Sequence, residues 1–332
     1  MGKLSNSELQ KLLSCIKKDS RVIIPPMVGY DSGVHQVDGK YIAVASDPCT
    51  GVPEEWFGYL LINYAASDLA LSGAKPQFCT INLLGPRSTK PATFQRIMKQ
   101  TCDAANELNI AIVRGHTGTY SSLNDLVGVA TVYGTANLEK LITPANAKPS
   151  DLILCTKPLG LETVTNFSLT RQKLAQELFG KERQEKLSRE VRMQSCVCEA
   201  LKLAETGVVH AMHDATEGGF VAALNELAEA SEVGFRLDWE RLPLSREVLA
   251  LQNRFGLSDE QVLAMSSTGT VLAAVDPQGQ EKVKAALRQS GLEAYFLGEF
   301  TEKKGRTLIK FGKEIVFPEV SNDPYGLIVS GK

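Results

Sequence analysis

The segment His213-Asp214-Ala215-Thr216-Glu217-Gly218-Gly219-Phe220 sets an acid, a hydroxyl and two glycines between an apolar run and a helical pattern. The run, residues 208–212, reads as a buried strand; Val221, Leu224, Leu227 and Ala228 recur at helical spacing. A strand therefore gives way to a helix N-terminus across this segment. Glycine lets the backbone approach a ligand closely, and the N–H groups and dipole of a helix start favour an anion such as phosphate. The plain alternative is an ordinary helix capped by Asp214 or Thr216.

Earlier segments add to the chemistry. Gly29-Tyr30-Asp31 precedes a strand over residues 41–46, which runs into a loop, Asp47-Pro48-Cys49-Thr50-Gly51. A helix over residues 56–72 carries Asn63 and Asp68 and ends in Ser72-Gly73-Ala74-Lys75-Pro76. Apolar residues 110–113 lead into another loop, Arg114-Gly115-His116-Thr117-Gly118-Thr119. Asp31, Asp47 and Asp68 thus fall at or near element ends, where side chains converge. Hard oxygen ligands of this kind suit Mg²⁺, which keeps water and binds substrate phosphates. A single Asp at a strand end is commonly a turn former. Three in this order, followed by two Gly/Thr loops, fit that reading less well.

GYD, ASDPCTG, ASDLALSGAKP, GHTGT and HDATEGGF follow in order the landmarks of the PurM-like, AIR synthase-related, ATP-dependent superfamily, which the chain resembles over residues 22–300. Within that group it looks most like the hydrogenase maturation protein HypE and its archaeal relatives. HypE proteins carry a similar "NDLA…GA.P" segment, matched by Ser67-Asp68-Leu69-Ala70, and a "DPT.GG" loop, matched by residues 214–219. Phe255-Gly256-Leu257 and Ser266-Ser267-Thr268-Gly269-Thr270-Val271-Leu272 are similar to a further HypE-like stretch. The resemblance implies an α/β (α+β) chain of two domains. An N-terminal PurM-like domain, residues 1–146, would bind ATP and pair in a homodimer; a C-terminal α/β domain, residues 147–332, would complete the site.

The implied activity is ATP- and Mg²⁺-dependent phosphorylation of an amide, carboxylate or thioamide oxygen on a small-molecule or protein-bound substrate, which turns a poor leaving group into phosphate. The protein would contribute alignment and charge stabilisation. In that frame Asp31, Asp47 and Asp68 hold Mg²⁺ directly or through water, and Asn63 belongs with the residues that bind the nucleotide. Asp214, Thr216, Gly218 and Gly219 contact phosphate or a further metal ion, and Thr117 and Gly118 line the nucleotide. His116 contacts substrate, transfers a proton or makes a structural hydrogen bond, since imidazole titrates near neutrality. HypE has an acid where this chain has His116. It also ends in a Cys that carries a carbamoyl group, whereas no Cys follows Cys198 here, and Ser330 lacks thiolate reactivity. The HypE reaction itself is therefore not expected. Two other readings stand beside this one: a nucleotide-binding relative without turnover, and a small-molecule kinase resembling thiamine-monophosphate kinase. Against the kinase, the chain lacks that family's DISDGL loop.

Composition sets the outer bounds. At 332 residues the chain exceeds what one core commonly supports, so two domains are the default. With 43% hydrophobic and 22% charged residues it reads as globular, and a net charge of −2 gives no electrostatic case for nucleic acid. No run reaches the roughly 18 apolar residues of a membrane span, and residues 1–5 open no secretory signal. The seven cysteines are scattered and odd in number, which fits reduced thiols in a cytoplasm. Cys196 and Cys198 would face different sides of a helix over 187–204, so they make a poor metal clip.

Residues 143–150, with two prolines and small polar residues, mark the domain boundary. Before it, strands near 41–46, 77–83, 110–113 and 125–134 alternate with helices near 55–72 and 91–108. After it, helices are expected near 187–206, 218–230, 246–256 and 278–290, with strands near 151–156, 208–212, 269–275, 294–300 and 306–310. The charged stretch 171–192 reads as a solvated helical segment, the alternative being a mobile flap over the site. The match to G-x-x-x-x-G-K at residues 326–332 lacks both a following Ser/Thr and a helix, so it makes no phosphate loop. His210 and His213, three apart with no third ligand in view, are a weak metal signal; His210 reads as a satisfied strand residue.

Overall fold

The computed structural model describes residues 4, 6–320 and 322–331. The readings that touch Met1, Gly2, Lys3, Ser5 and Lys332 lie outside the described residues. The chain divides into two compact units, one of residues 17–26 and 31–141, the other of residues up to 16, residues 27–30 and those from 142 onward.

In chain order, α1 (Asn6–Leu13) is followed by β1 (Val22–Ile24), β2 (Gly33–Val37), β3 (Lys40–Thr50), α2 (Phe57–Leu71), β4 (Phe78–Pro86), α3 (Pro91–Glu107), β5 (Ala111–Tyr120) and β6 (Val127–Ala136). The six strands form one sheet in the order β1-β2-β3-β6-β4-β5, antiparallel except for β4 and β5, which α3 connects as a parallel crossover. β4 and β6 alternate in burial residue by residue, as a sheet covered on one face requires. α2 packs on β3, β6 and α3. It is apolar nearly all round, and Leu60, Leu61, Ile62, Ala65, Ala66, Leu69 and Ala70 are fully buried. Gly58 lets α3 come close: a Cβ there would lie 2.4 Å from the Ile97 carbonyl oxygen.

Two stretches read as loops are strand. β3 continues through Asp47, Pro48, Cys49 and Thr50, which pair with Ala130, Val129, Gly128 and Val127 of β6. Pro48 is tolerated because the pairing with β2 ends at Val44, so no ladder bond on that side is lost. Arg114 to Thr119 likewise belong to β5 and pair with β4, His116 opposite Asn82 and Gly118 opposite Leu84. Gly115 is needed for the close approach, since a Cβ would meet the Ile81 carbonyl oxygen at 2.5 Å.

The other unit holds β7 (Leu152–Cys155), α4 (Leu161–Thr170), α5 (Gln172–Phe179), α6 (Lys181–Arg189), α7 (Val197–Glu205), β8 (Val209–Asp214), α8 (Gly219–Ala230) and β9 (Gly234–Asp238). Then come α9 (Arg246–Phe255), α10 (Asp259–Leu263), β10 (Val271–Val275), α11 (Gln280–Arg288), β11 (Tyr295–Thr301), β12 (Arg306–Lys310) and β13 (Lys313–Val316). Seven strands make a sheet in the order β13-β12-β9-β11-β7-β10-β8. One core joins this sheet to Phe220, Val221, Leu224 and Leu227 of α8; Phe317 stands edge-on to Phe220 and Phe235 within it. A second core gathers Phe167, Ala175, Leu187, Val248, Leu251, Val262, Ile328 and Val329.

The charged stretch 171–192 is more than a solvated helix. It forms α5 and α6, broken at Gly180 (φ 83°), and buries Ala175, Gln184 and Leu187. Its charges stay on the outer face while Leu174, Leu178 and Phe179 pack inward. The helix expected over 187–206 is interrupted by a 3₁₀ turn, Glu190–Gln194.

Candidate functional site

β8 extends two residues beyond the apolar run and takes in His213 and Asp214, 1% and 2% exposed. Its pairing with β10 puts Asp214 opposite Val271. Past the strand, the Ala215 N–H donates to Thr270 O (2.9 Å) and the Ser267 N–H to Ala215 O (2.8 Å), which ties the turn to the Ser266–Thr270 loop. Gly218 and Gly219 then take positive φ, 82° and 57°. At Gly219 the requirement is also steric, because a Cβ would lie 2.4 Å from Met265 O and 2.8 Å from Ala264 C.

Neither Asp214 nor Thr216 caps α8, contrary to the plain reading: Gly218 is the N-cap, and no side chain bonds from that position. The anion at this helix start comes from far along the chain. The Gly218 N–H donates to Asp323 Oδ2 at 3.3 Å, and Ser266 Oγ donates to the same oxygen at 2.5 Å. Glu162 stands close by, its Oε2 accepting from Thr268 Oγ1 at 2.5 Å. Burial pushes the Glu162 carboxyl up to about 7; the Thr268 hydroxyl opposes that rise, and the Asp323 and Glu217 carboxylates add to it. Lys157 braces the loop from within. Its ammonium donates to Met193 O (2.8 Å), Ser195 O (2.7 Å) and Gly269 O (2.9 Å) and pairs with Glu199.

His213, which the motif placed beside the acid without a role, is held by Glu226 of α8 (Nε2 to Oε2, 2.7 Å), and its Nδ1 lies 3.8 Å from Asp214 Oδ1. His210 bonds Asp151 (2.9 Å) and Lys148 (3.2 Å) through its two ring nitrogens, a satisfied strand residue.

In the 31–141 unit, Asp31 lies in a bend before β2, Asp47 is half-buried on β3, and Asp68 is half-buried in the last turn of α2. β3 and α2 pack on each other, so Asp47 and Asp68 belong to adjoining elements. Asn63 is 2% exposed and its Nδ2 donates to Tyr59 O (2.9 Å) inside its own helix. Five residues before Asp68, it also lies on another side of that helix. His116, Thr117 and Gly118 stand apart from this set. β6 and β4 lie between β3 and β5, about 14 Å at the usual strand spacing. His116 is exposed, and its Nε2 shares a hydrogen bond with Tyr120 OH (2.8 Å). Asp323, Ser266, Glu162 and the His213–Glu226 pair went unassigned in the sequence. Ser266 lay inside a stretch noted only for its resemblance, and His213 opened the glycine-turn segment without its Glu226 partner being foreseen.

The N-terminal domain model of AIR synthase related protein matches residues 29–136, and the C-terminal domain model matches residues 148–310. A Methanocaldococcus jannaschii protein named for hydrogenase expression and formation is 27% identical over 307 residues, 90% of this chain and 84% of that one. Carbamoyl dehydratase HypE of Rhizobium leguminosarum bv. viciae is 26% identical over 278 residues, 81% of this chain and 76% of its own. The crystal structure of the hydrogenase maturation protein HypE in complex with ATP superposes with a TM-score of 0.73 at 19% identity, covering 89% of each chain, a likeness of fold. The two family matches take in every strand of the two sheets except the edge strands β1 and β13, together with the Gly218–Gly219 turn, and the chain belongs to the AIR synthase related protein family.

Proposed function

We propose that this protein is an ATP- and Mg²⁺-dependent enzyme that phosphorylates the oxygen of an amide or carboxylate, or the sulfur of a thioamide, and thereby activates the attached carbon. The observation that carries this reading is the Gly218 amide at the start of α8. It already holds an anionic oxygen, on a turn whose glycines leave the backbone bare. Likeness to HypE, one of whose structures is an ATP complex, supports the choice of nucleotide. The acceptor atom attacks the γ-phosphorus, the bond to the leaving ADP oxygen breaks, and a nucleophile then displaces phosphate, or thiophosphate where the acceptor is sulfur, from the activated carbon.

Asp47 and Asp68 fit Mg²⁺ as hard oxygen donors on packed elements. Asp31 and Asp214 are further candidate Mg²⁺ ligands by the chemistry of their carboxylates. Bound there, Mg²⁺ would neutralise phosphate charge. Thr216, Gly218 and Gly219 would receive a phosphate, and Glu226 would fix the His213 ring for proton transfer at Nδ1. Asn63 is assigned to the helix interior instead of to the nucleotide. Thr117 and Gly118 serve the nucleotide and His116 the substrate from β5, a ten-residue edge strand with Val113 and Tyr120 exposed (57% and 42%). Such an edge invites pairing with a second copy, which supports a homodimer. Seven free thiols support a reducing compartment such as the cytoplasm. Among the described residues no helix is long and apolar enough to cross a membrane.

The test is product analysis of the full chain with Mg-ATP and a panel of amides, carboxylates and thioamides. Acceptor-dependent release of ADP and phosphate, or thiophosphate from a thioamide, is expected. ADP with a stable phosphorylated acceptor would mark a kinase instead, and unchanged ATP across the panel with no nucleotide binding would overturn the reading.

A further inference from the structure

The chain beyond β13 crosses its own unit as a strap fastened on both sides of Asp323. Upstream, Phe317 is fully buried between Phe220 and Phe235, and Asn225 Nδ2 donates to Pro318 O (2.8 Å). Downstream, Asn166 Nδ2 donates to Tyr325 OH (2.8 Å), Thr170 Oγ1 donates to Val329 O (3.2 Å), and Ile328 and Val329 enter the second core. Between these anchors the Asp323 carboxylate takes three hydrogen bonds: from Gly218 N–H and Ser266 Oγ on one oxygen, and from Tyr325 N–H on the other. Asp323 lies outside the residues matched by the family's C-terminal domain model, which stop at 310.

We propose that Asp323 is a built-in anion that fills the α8 N-terminus, and that the strap carrying it must let go before a phosphate oxygen can take its place on Gly218 and Ser266. The inference rests on reading the Gly218–Gly219 turn as the phosphate-receiving element. Three features argue for exchange over a permanent cap. The bond from Gly218 is long at 3.3 Å, although its acceptor is charged. The seated Asp323 carboxylate makes the neighbouring Glu162 harder to ionise, a cost that its departure relieves. The strap has anchors of its own at Phe317 and at Tyr325, Ile328 and Val329, so Asp323 can leave while the flanking contacts guide its return. The strap thereby lowers apparent nucleotide affinity by the fraction of time that Asp323 is seated. It keeps the bare turn from taking arbitrary small anions.

Hydrogen exchange and calorimetry on the full chain test this with Mg-ATP as probe. In the unaltered protein, Mg-ATP is expected to raise exchange in peptides covering residues 317–331. Asp323→Ala should raise that exchange without ligand and tighten Mg-ATP binding about tenfold. Equal affinity in the two chains, or exchange that bound Mg-ATP leaves unchanged, overturns the strap and leaves the phosphate-turn reading standing. Failure of both chains to bind Mg-ATP overturns the two together. If Asp323→Ala does not fold, exchange in the unaltered protein decides alone.

Discussion

Lys157 and Glu199 form an ion pair in which each side chain is only 4% exposed, and the same ammonium satisfies three backbone carbonyls. Two buried charges carry a desolvation cost that their attraction offsets only while both are present. Lys157→Met should therefore cost about 3–5 kcal/mol by urea unfolding, since Glu199 is left charged and buried. Adding Glu199→Leu should restore much of the loss. An equally unstable double variant would show that the carbonyl contacts, rather than the pair, carry the effect.

The raised Glu162 carboxyl makes stability depend on pH. Its group binds a proton up to about 7 in the folded chain and only up to about 4.5 when unfolded. The folded state thus holds more protons across that window, so the contribution is complete below about 4.5, falls as pH rises, and is lost above about 7. The span corresponds to about 3 kcal/mol at most. Unfolding midpoints of the unaltered chain should decline over this range, and those of Glu162→Gln should decline less. Parallel profiles would remove Glu162 as the cause.

At Gly219 an added Cβ faces both a positive φ and backbone atoms closer than van der Waals contact allows. Gly219→Ala should cost more than about 2 kcal/mol. Gly207→Ala, with φ 66° and nothing within 4 Å, should cost only the conformational term of about 1 kcal/mol. Thermal melts of the two variants side by side separate steric from conformational strain.

Replacing both Asp47 and Asp68 by Asn should abolish the magnesium dependence of ATP binding with the fold retained, because Asn keeps the shape of Asp but not the charge that a hard cation requires. Calorimetric titration with and without Mg²⁺ reads this directly. Unchanged Mg-ATP affinity would take both residues out of the site.

The exposed edge of β5 gives a separate prediction. Val113→Lys, at a residue 57% exposed, should weaken self-association, because a charge on an edge strand discourages pairing. Sedimentation should show a shift toward monomer with an unchanged circular dichroism spectrum.

What the sequence made legible was whatever has a local cause. The apolar runs of β3, β8 and β10 and the helical spacing of α2, α3 and α8 announce themselves within a few residues. Pro48 and the glycines of Arg114-Gly115-His116-Thr117-Gly118-Thr119 signalled turns, and pairing with β6 and β4 overrode that signal. α4 escaped notice because Thr163, Thr165, Asn166 and Ser168 are buried polar residues that blur any apolar stripe. The hydroxyls of Thr165 and Ser168 bond back to their own helix, a satisfaction no composition reveals. In the candidate site, the turn conformation at Gly218–Gly219 was legible from its glycines, and the position of Asp214 at the end of β8 from the apolar run before it. Asp323 was not, since 105 residues separate it from the amide it touches. Glu226 sits one strand-to-helix step from His213, a distance that only the packing of α8 defines.

The second hydrophobic core, where Phe167 meets Ile328 and Val329, also sets a schedule for biosynthesis. Every strand of the 31–141 sheet has been made before residue 142 is added, so that sheet can close while the ribosome is still working. The other unit has no such head start. Its α4 and α5 must wait as half-covered surfaces until residues 325–331 emerge, and during that interval chaperones would find this part of the newborn chain.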